Sequence, residues 1–150
     1  MKVLITGQQG FIGKNLSARL NENEEYSVLP FTRDDSAYDL QDKIIESDAI
    51  VHLAGVNRPV NKSEFKTINV GLTESICQLI RNEGGRETPL IVASSTQAKL
   101  DNPYGKSKYA AEVLVELLSL ETGNPVALYQ LPSVFGRWCK PNYNSVVATF

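Results

Sequence analysis

Soft, metal-binding chemistry is scarce in this chain: two cysteines, Cys77 and Cys139, and one histidine, His52, stand far apart. They offer no ligand cluster for zinc and no disulfide framework, so no metal is expected and a reducing cytoplasm is the simpler setting. Excess charge is lacking too. Lysine and arginine number 15 against 17 acids, a formal net charge of −2 with the signs interspersed, which leaves no electrostatic footprint for nucleic acid. No apolar run reaches the ~20 residues of a membrane span. The run after Lys2 is broken by Thr6 and Gly7, so neither a signal peptide nor a span is expected. At 150 residues the chain predicts one domain, able to bury roughly 68–70% of its unfolded surface.

What the sequence does have is a strand running into glycines. Val3, Leu4 and Ile5 form a continuous apolar run suited to a strand buried on both faces, whereas Phe11, Ile12, Leu16 and Leu20 recur at helical spacing. The period switches inside Gly7-Gln-Gln-Gly10-Phe-Ile-Gly13. Gly7 suits a tight turn, Gly10 lets backbone approach a pyrophosphate, and Gly13 lets the helix pack close on the strand. The unpaired N–H groups and positive dipole end of that helix then face the anion. This G-x-x-G-x-x-G spacing is one residue wider in its first gap than the common dinucleotide fingerprint, and an ordinary strand-to-helix turn is the competing reading. A phosphate-binding P-loop is excluded, because Gln8 and Asn15 stand where its first glycine and its final Ser or Thr belong.

Further on, Ser27 to Thr32 reads as a second strand, with Pro30 expected near its end or at a bulge. Thr32 lies about twenty residues beyond the glycines, where an NAD-binding domain carries an acid for the ribose 2′-hydroxyl. Here Arg33 follows instead. A guanidinium there fits a 2′-phosphate and favours NADP(H), with Lys14 able to assist; alternatively Arg33 is a loop charge answering Asp34 and Asp35. Asp39 and Leu40 open a short helix that should bury Ile44 and Ile45, with Asp39 as N-cap. Ala49 to Ala54 is a third strand ending at Gly55, and His52 in mid-run reads as a hydrogen-bonded core histidine. In the loop Val56 to Val60, Arg58 either meets an anionic substrate or is a surface charge.

A stripe of Phe65, Ile68, Leu72, Ile76 and Leu79 predicts a helix from Lys62 to Asn82, closed by Gly84-Gly85, with Cys77 as a packing residue. The fourth strand, Leu90 to Ala93, delivers Ser94, Ser95 and Thr96 to its carboxyl end. Tyr104 and Lys108 follow at i and i+4 on a helix that runs through Leu118. A phenol trading protons near neutrality must fall roughly three units from ~10, about 4 kcal/mol, and a neighbouring ammonium acts in that direction. Tyr104 then serves as acid or base, with Lys108 tuning it. The last strand is Val126 to Leu131. Its following loop carries Ser133, Arg137 and Trp138, readable as a sugar-nucleotide pocket or as ordinary packing and surface. Val146 to Phe150 is apolar with nothing left to pack against, so residues 1–150 are expected to be the cofactor part of something longer.

Thr6-Gly-Gln-Gln-Gly-Phe-Ile-Gly13, Asp39-Leu40, His52-Leu-Ala-Gly55, Asn69-Val70, Ser94-Ser95, Tyr104-Gly-Lys-Ser-Lys108 and Val134-Phe-Gly136 occur in the order of one family. On them the chain resembles the extended short-chain dehydrogenase/reductase superfamily, in its NAD(P)-dependent sugar-nucleotide epimerase/dehydratase branch. More narrowly, Phe135 to Phe150 is similar to the CapF-type capsular polysaccharide reductases. The resemblance implies that Ser95 hydrogen-bonds the reacting sugar oxygen, Tyr104 is the acid/base and Lys108 binds the nicotinamide ribose. Asp39 would contact adenine, and Leu53, Ala54 and Gly55 would line the cofactor. With the residues read above, the expected cofactor set is Gly7, Gly10, Phe11, Ile12, Gly13, Lys14, Thr32, Arg33, Asp39, Leu40, Leu53, Ala54, Gly55, Lys108 and Leu131. CapF-type enzymes use NADPH to reduce the 4-keto group of a UDP-linked 6-deoxy-hexosamine on the way to N-acetyl-L-fucosamine. Their C-terminal cupin domain has no counterpart here. Thr96 and Gln97 stand where 4,6-dehydratases carry an Asp-Glu pair, and Ser133 replaces the branch's common Asn.

The expected architecture is a doubly wound, Rossmann-like α/β domain of five parallel strands in the spatial order 3-2-1-4-5. The resemblance adds a nucleotide-sugar substrate and a homodimer through the helices 62–82 and 104–118. Two other functions stay open: an NAD-dependent sugar-nucleotide epimerase, which Arg33 disfavours, and a non-catalytic dinucleotide sensor, which would not need Ser95, Tyr104 and Lys108.

Overall fold

A computed structural model describes residues 1–83, 87–142, 147 and 149. Its elements alternate along the chain: β1 (Lys2–Thr6), α1 (Phe11–Leu20), β2 (Ser27–Phe31), α2 (Ala37–Glu46) and β3 (Ala49–His52) come first. A π-helical segment (Phe65–Gly71) then runs into α3 (Leu72–Asn82), followed by β4 (Leu90–Ser95), a 3₁₀ turn (Thr96–Lys99), α4 (Pro103–Thr122) and β5 (Val126–Leu131). The strands form one parallel sheet, as the sequence predicts, but the order is β2-β1-β3-β4-β5 rather than 3-2-1-4-5. The reason lies in the strands themselves. All four residues of β3 are buried, which demands neighbours on both sides, whereas β2 is half-exposed and carries Pro30 opposite Ile5. A proline without an N–H belongs at a sheet edge, and placing β2 between β1 and β3 would have buried it in the ladder.

Both faces of the sheet are dressed unequally. Leu4, Ile50, Leu90 and Val92 pack against Leu40 and Ile44 of α2, Ile76, Cys77 and Ile80 of α3, and Val115 and Leu118 of α4. On the opposite face Val3, Ile5 and Val51 meet Leu16 and Leu20 of α1. Two details of α2 correct the sequence reading. Ser36, not Asp39, is the N-cap, and Asp39 sits at N3 of a capping box in which each residue's side chain bonds the other's backbone N–H. Of the two isoleucines, Ile44 is buried while Ile45 turns outward. The predicted helix from Lys62 begins as the wider π segment, which turns Asn69 inward. The Gly84-Gly85 stop and most of the 146–150 stretch lie outside the described residues.

Candidate functional site

The strands deliver their carboxyl ends to one open groove of about 1410 Å³. The glycine turn forms one wall. Gly7 has φ +72°, and a Cβ there would lie 2.7 Å from the Ala54 nitrogen, so only glycine lets the tips of β1 and β3 approach this closely. The Gly10 N–H donates to the Gly7 carbonyl at 2.9 Å, which bends the chain into α1. That helix starts at Gly10 with no side-chain cap and no acid in its first turn, so its N–H groups and dipole remain available to an anion. The groove therefore has the build of a phosphate cradle.

Most of the sequence-predicted residues line it: Gly7, Gly10, Phe11, Ile12, Gly13, Lys14, Thr32, Arg33, Leu53, Ala54, Gly55, Leu131, Ser95, Tyr104 and Lys108. Two do not. The Asp39 carboxylate is engaged by the backbone and hydroxyl of Ser36, which holds its pKa below the ordinary value, and Leu40 is buried in the core. Arg33 is exposed at the rim. It does not answer Asp35, whose carboxylate is taken by Lys43 and by the Thr32 backbone and hydroxyl, and no ion pair of Arg33 occurs among the described residues. From the last loop Ser133, Trp138, Cys139 and Lys140 also face the groove. The Arg137 guanidinium stacks 4.5 Å over the Trp138 ring, and the Arg137 carbonyl accepts from Asn15 at 2.8 Å, pinning this loop to α1.

At the tip of β4 the two serines serve different neighbours. Ser94 turns into the protein and donates to Glu112, whereas Ser95 caps the 3₁₀ turn and interacts with the Tyr104 phenol. A Phe65 ring 6.1 Å away flanks that phenol. Burial raises the Tyr104 pKa, and the Ser95 hydrogen bond only partly opposes this. Here the structure departs from the expected electrostatics: Lys108 shares a helix face with Tyr104, but its ammonium donates to the Ala93 carbonyl at 3.0 Å, and the phenol is shifted by burial and Ser95 instead. Burial pushes Lys108 below its ordinary value, and the charge of Glu112 pulls it back up.

His52 proves to be a core histidine. Its Nδ1 lies 2.6 Å from the Thr6 hydroxyl and its Nε2 2.9 Å from that of Thr73. Because Thr73 already donates to the Asn69 carbonyl and the Ala54 N–H donates to Thr6, the network assigns the proton to Nε2. Burial, reinforced by the Lys108 charge, depresses its pKa to about 3. Cys77 is likewise buried and inert, its pKa raised to about 11 by burial. Asn69 is a clamp that residue-type reasoning assigned no role. Its amide accepts from the Val56 N–H at 2.8 Å and donates to the Val56 carbonyl and the Ser107 hydroxyl, both at 2.9 Å, tying the loop after β3 to α4 beside Lys108.

Comparison with known proteins agrees with this geometry. The model of the NAD dependent epimerase/dehydratase family matches residues 3–150. A UDP-2-acetamido-2,6-beta-L-arabino-hexul-4-ose reductase of Pseudomonas aeruginosa is 51% identical over the whole chain, which spans 40% of that relative's length. The capsular polysaccharide assembling protein CapF of Staphylococcus aureus superposes with a TM-score of 0.84 at 41% identity, over 99% of this chain and 40% of its own. A UDP-glucuronic acid 4-epimerase of Bacillus cereus, solved with NAD, shares the fold at a TM-score of 0.83 and 19% identity, over 95% of this chain and 60% of its own.

Proposed function

The chain belongs to the NAD dependent epimerase/dehydratase family, and on that premise we propose that it is the cofactor-binding part of an NADPH-dependent sugar-nucleotide reductase. The substrate of this reading is a UDP-linked 6-deoxy-hexosamine with a 4-keto group, a precursor of capsular or surface polysaccharide on the UDP-N-acetyl-L-fucosamine route. One observation carries it: Ser95, the Tyr104 phenol and the glycine turn open into a single groove, with the phenol kept in its proton-bearing form by burial. When bound, the dihydronicotinamide supplies a hydride to the carbonyl carbon. Tyr104 gives its phenolic proton to the carbonyl oxygen, Ser95 donates a hydrogen bond to that oxygen, and Lys108 holds the cofactor ribose. Arg33, at the groove rim and in no ion pair among the described residues, supports NADPH over NADH. Asp39 remains the proposed adenine contact.

The longer protein is part of the proposal. Tyr129 pairs with Ala93 on the sheet face that carries Ile91, and it is 57% exposed, so that face has room for further chain. We place the enzyme in the cytoplasm, in keeping with two free cysteines. No helix among the described residues is long and apolar enough to cross a membrane. A homodimer through residues 62–82 and 104–118 is supported by exposed Tyr109 and Leu117 on α4. Side-by-side fluorescence titration with NADPH and NADH tests the cofactor: preference for NADPH that disappears in Arg33→Ala is expected, and preference for NADH would favour an epimerase. For the reaction, Tyr104→Phe should abolish turnover of the UDP-4-keto sugar while leaving NADPH binding nearly intact. Equal loss of both refutes the role of the phenol.

A further inference from the structure

One buried acid has no place in the reaction above. Glu112 is 6% exposed, and among the described residues its carboxylate is held by neutral donors: the Ser94 hydroxyl, and the Gln130 amide at 3.0 Å to one oxygen and 3.1 Å to the other. Ser94 and Gln130 are register partners on β4 and β5, so both project toward α4 and clamp the carboxylate from one side. One helical turn before it stands Lys108, whose ammonium donates to the Ala93 carbonyl. Lys108 and Glu112 line a common interior gap, with His52 and Thr73, that has no room for a water molecule.

We propose that Glu112 is the interior counter-charge of Lys108, a positioning residue that keeps the lysine charged and held against the end of β4. The other groups facing Lys108 carry no negative charge: His52 from β3 is neutral, Asn69 from the π segment is an amide, and Tyr104 on its own helix is a protonated phenol. Without water between them the two charges interact at a low effective dielectric, so loss of one is felt by the other. The positioning role rests on the reading of Lys108 as the residue that holds the cofactor ribose, while the charge pairing itself does not.

The test reads Lys108 directly. In the full protein with 13C-labelled lysine, the Lys108 signal is assigned by its absence in Lys108→Arg and followed through its titration. Glu112→Gln should lower the midpoint by about one unit, a tenfold loss of proton affinity. In turnover, the basic limb of the pH profile should move to lower pH by the same amount. An unchanged midpoint in a folded variant, or equal loss of activity at every pH, overturns the proposal and leaves Glu112 a packing residue. Should Glu112→Gln not fold, Glu112→Asp withdraws the charge by one methylene and should lower the midpoint by less; no change there overturns it equally. Titration needs no turnover. If the protein reduces no sugar nucleotide but Lys108 still responds to Glu112, the reductase reading fails and this one stands.

Discussion

Replacing Gly13 by alanine tests the phosphate cradle without relying on catalysis. A Cβ at Gly13 would sit 2.3 Å from the Gly7 carbonyl oxygen, 2.6 Å from the Gln8 Cα and 2.8 Å from the Gln8 oxygen, all backbone atoms. Since real Cβ contacts stay above 3.0 Å, the turn must retreat by about 0.7 Å or more. Overpacking of this kind costs about 1–3 kcal/mol of stability. The Gly7 carbonyl also accepts the Gly10 N–H, so moving it re-aims the donors at the start of α1. Loss of one charge-assisted hydrogen bond to a pyrophosphate, about 1.5–3 kcal/mol, translates into roughly 10–150-fold weaker NADPH binding. Fluorescence titration and urea denaturation of Gly13→Ala measure the two effects. Gly71→Ala is the control, since its Cβ would lie 3.6 Å from the nearest atom and should leave binding unchanged. Binding within about twofold of the parent in Gly13→Ala would refute the role given to this turn.

Two further outcomes follow from the same geometry. Alanine at Gly105 would bring its Cβ to 2.2 Å from the Gln97 carbonyl and 2.7 Å from that of Leu100, forcing α4 away from the turn that carries Ser95. Misplacing Ser95 and Tyr104 by about 1 Å should lower kcat about 100-fold, and an unaltered kcat refutes this. NADPH affinity should fall by less than kcat, since α4 also carries Lys108 but the glycine turn is untouched. His52, with a folded pKa of about 3, binds fewer protons than the unfolded chain. Its contribution is therefore complete above ~6.5 and is lost as pH falls toward 3, about 2 kcal/mol between pH 7 and pH 5. Denaturant titrations at both pH values should show that much less pH dependence in His52→Gln, and equal slopes would contradict the burial argument.

How much of this was readable in advance depended on how local the cause is. The glycine turn, the strands and the Tyr104–Lys108 spacing are written in periods of two to four residues, and the groove gathers most of the residues they nominated. Strand order is not local: only in the sheet do half-exposed β2 with Pro30 and uniformly buried Ala49 to His52 separate into an edge strand and an interior one. Ser36 as N-cap was hidden by the Asp34-Asp35-Ser36 run, where several residues compete for one cap. Glu112 continues the four-residue spacing of Tyr104 and Lys108. Only the register that sets Ser94 beside Gln130 shows that it is held inside.

The direction of proton transfer was the least legible part, and the structure changes the argument for it. An i, i+4 spacing puts Tyr104 and Lys108 on one face, but a flexible four-carbon side chain does not fix where its charge goes, and the Lys108 ammonium donates to the Ala93 carbonyl. The phenol is then governed by burial, against Ser95 alone, and stays protonated at neutral pH. A base would need that proton removed first. An acid needs it in place, and an alkoxide forming at a reduced carbonyl carbon is far more basic than any phenolate. Burial that would hinder oxidation of an alcohol thus suits reduction of a ketone, the direction proposed above, in which Lys108 is assigned to the cofactor and Glu112 to its counter-charge.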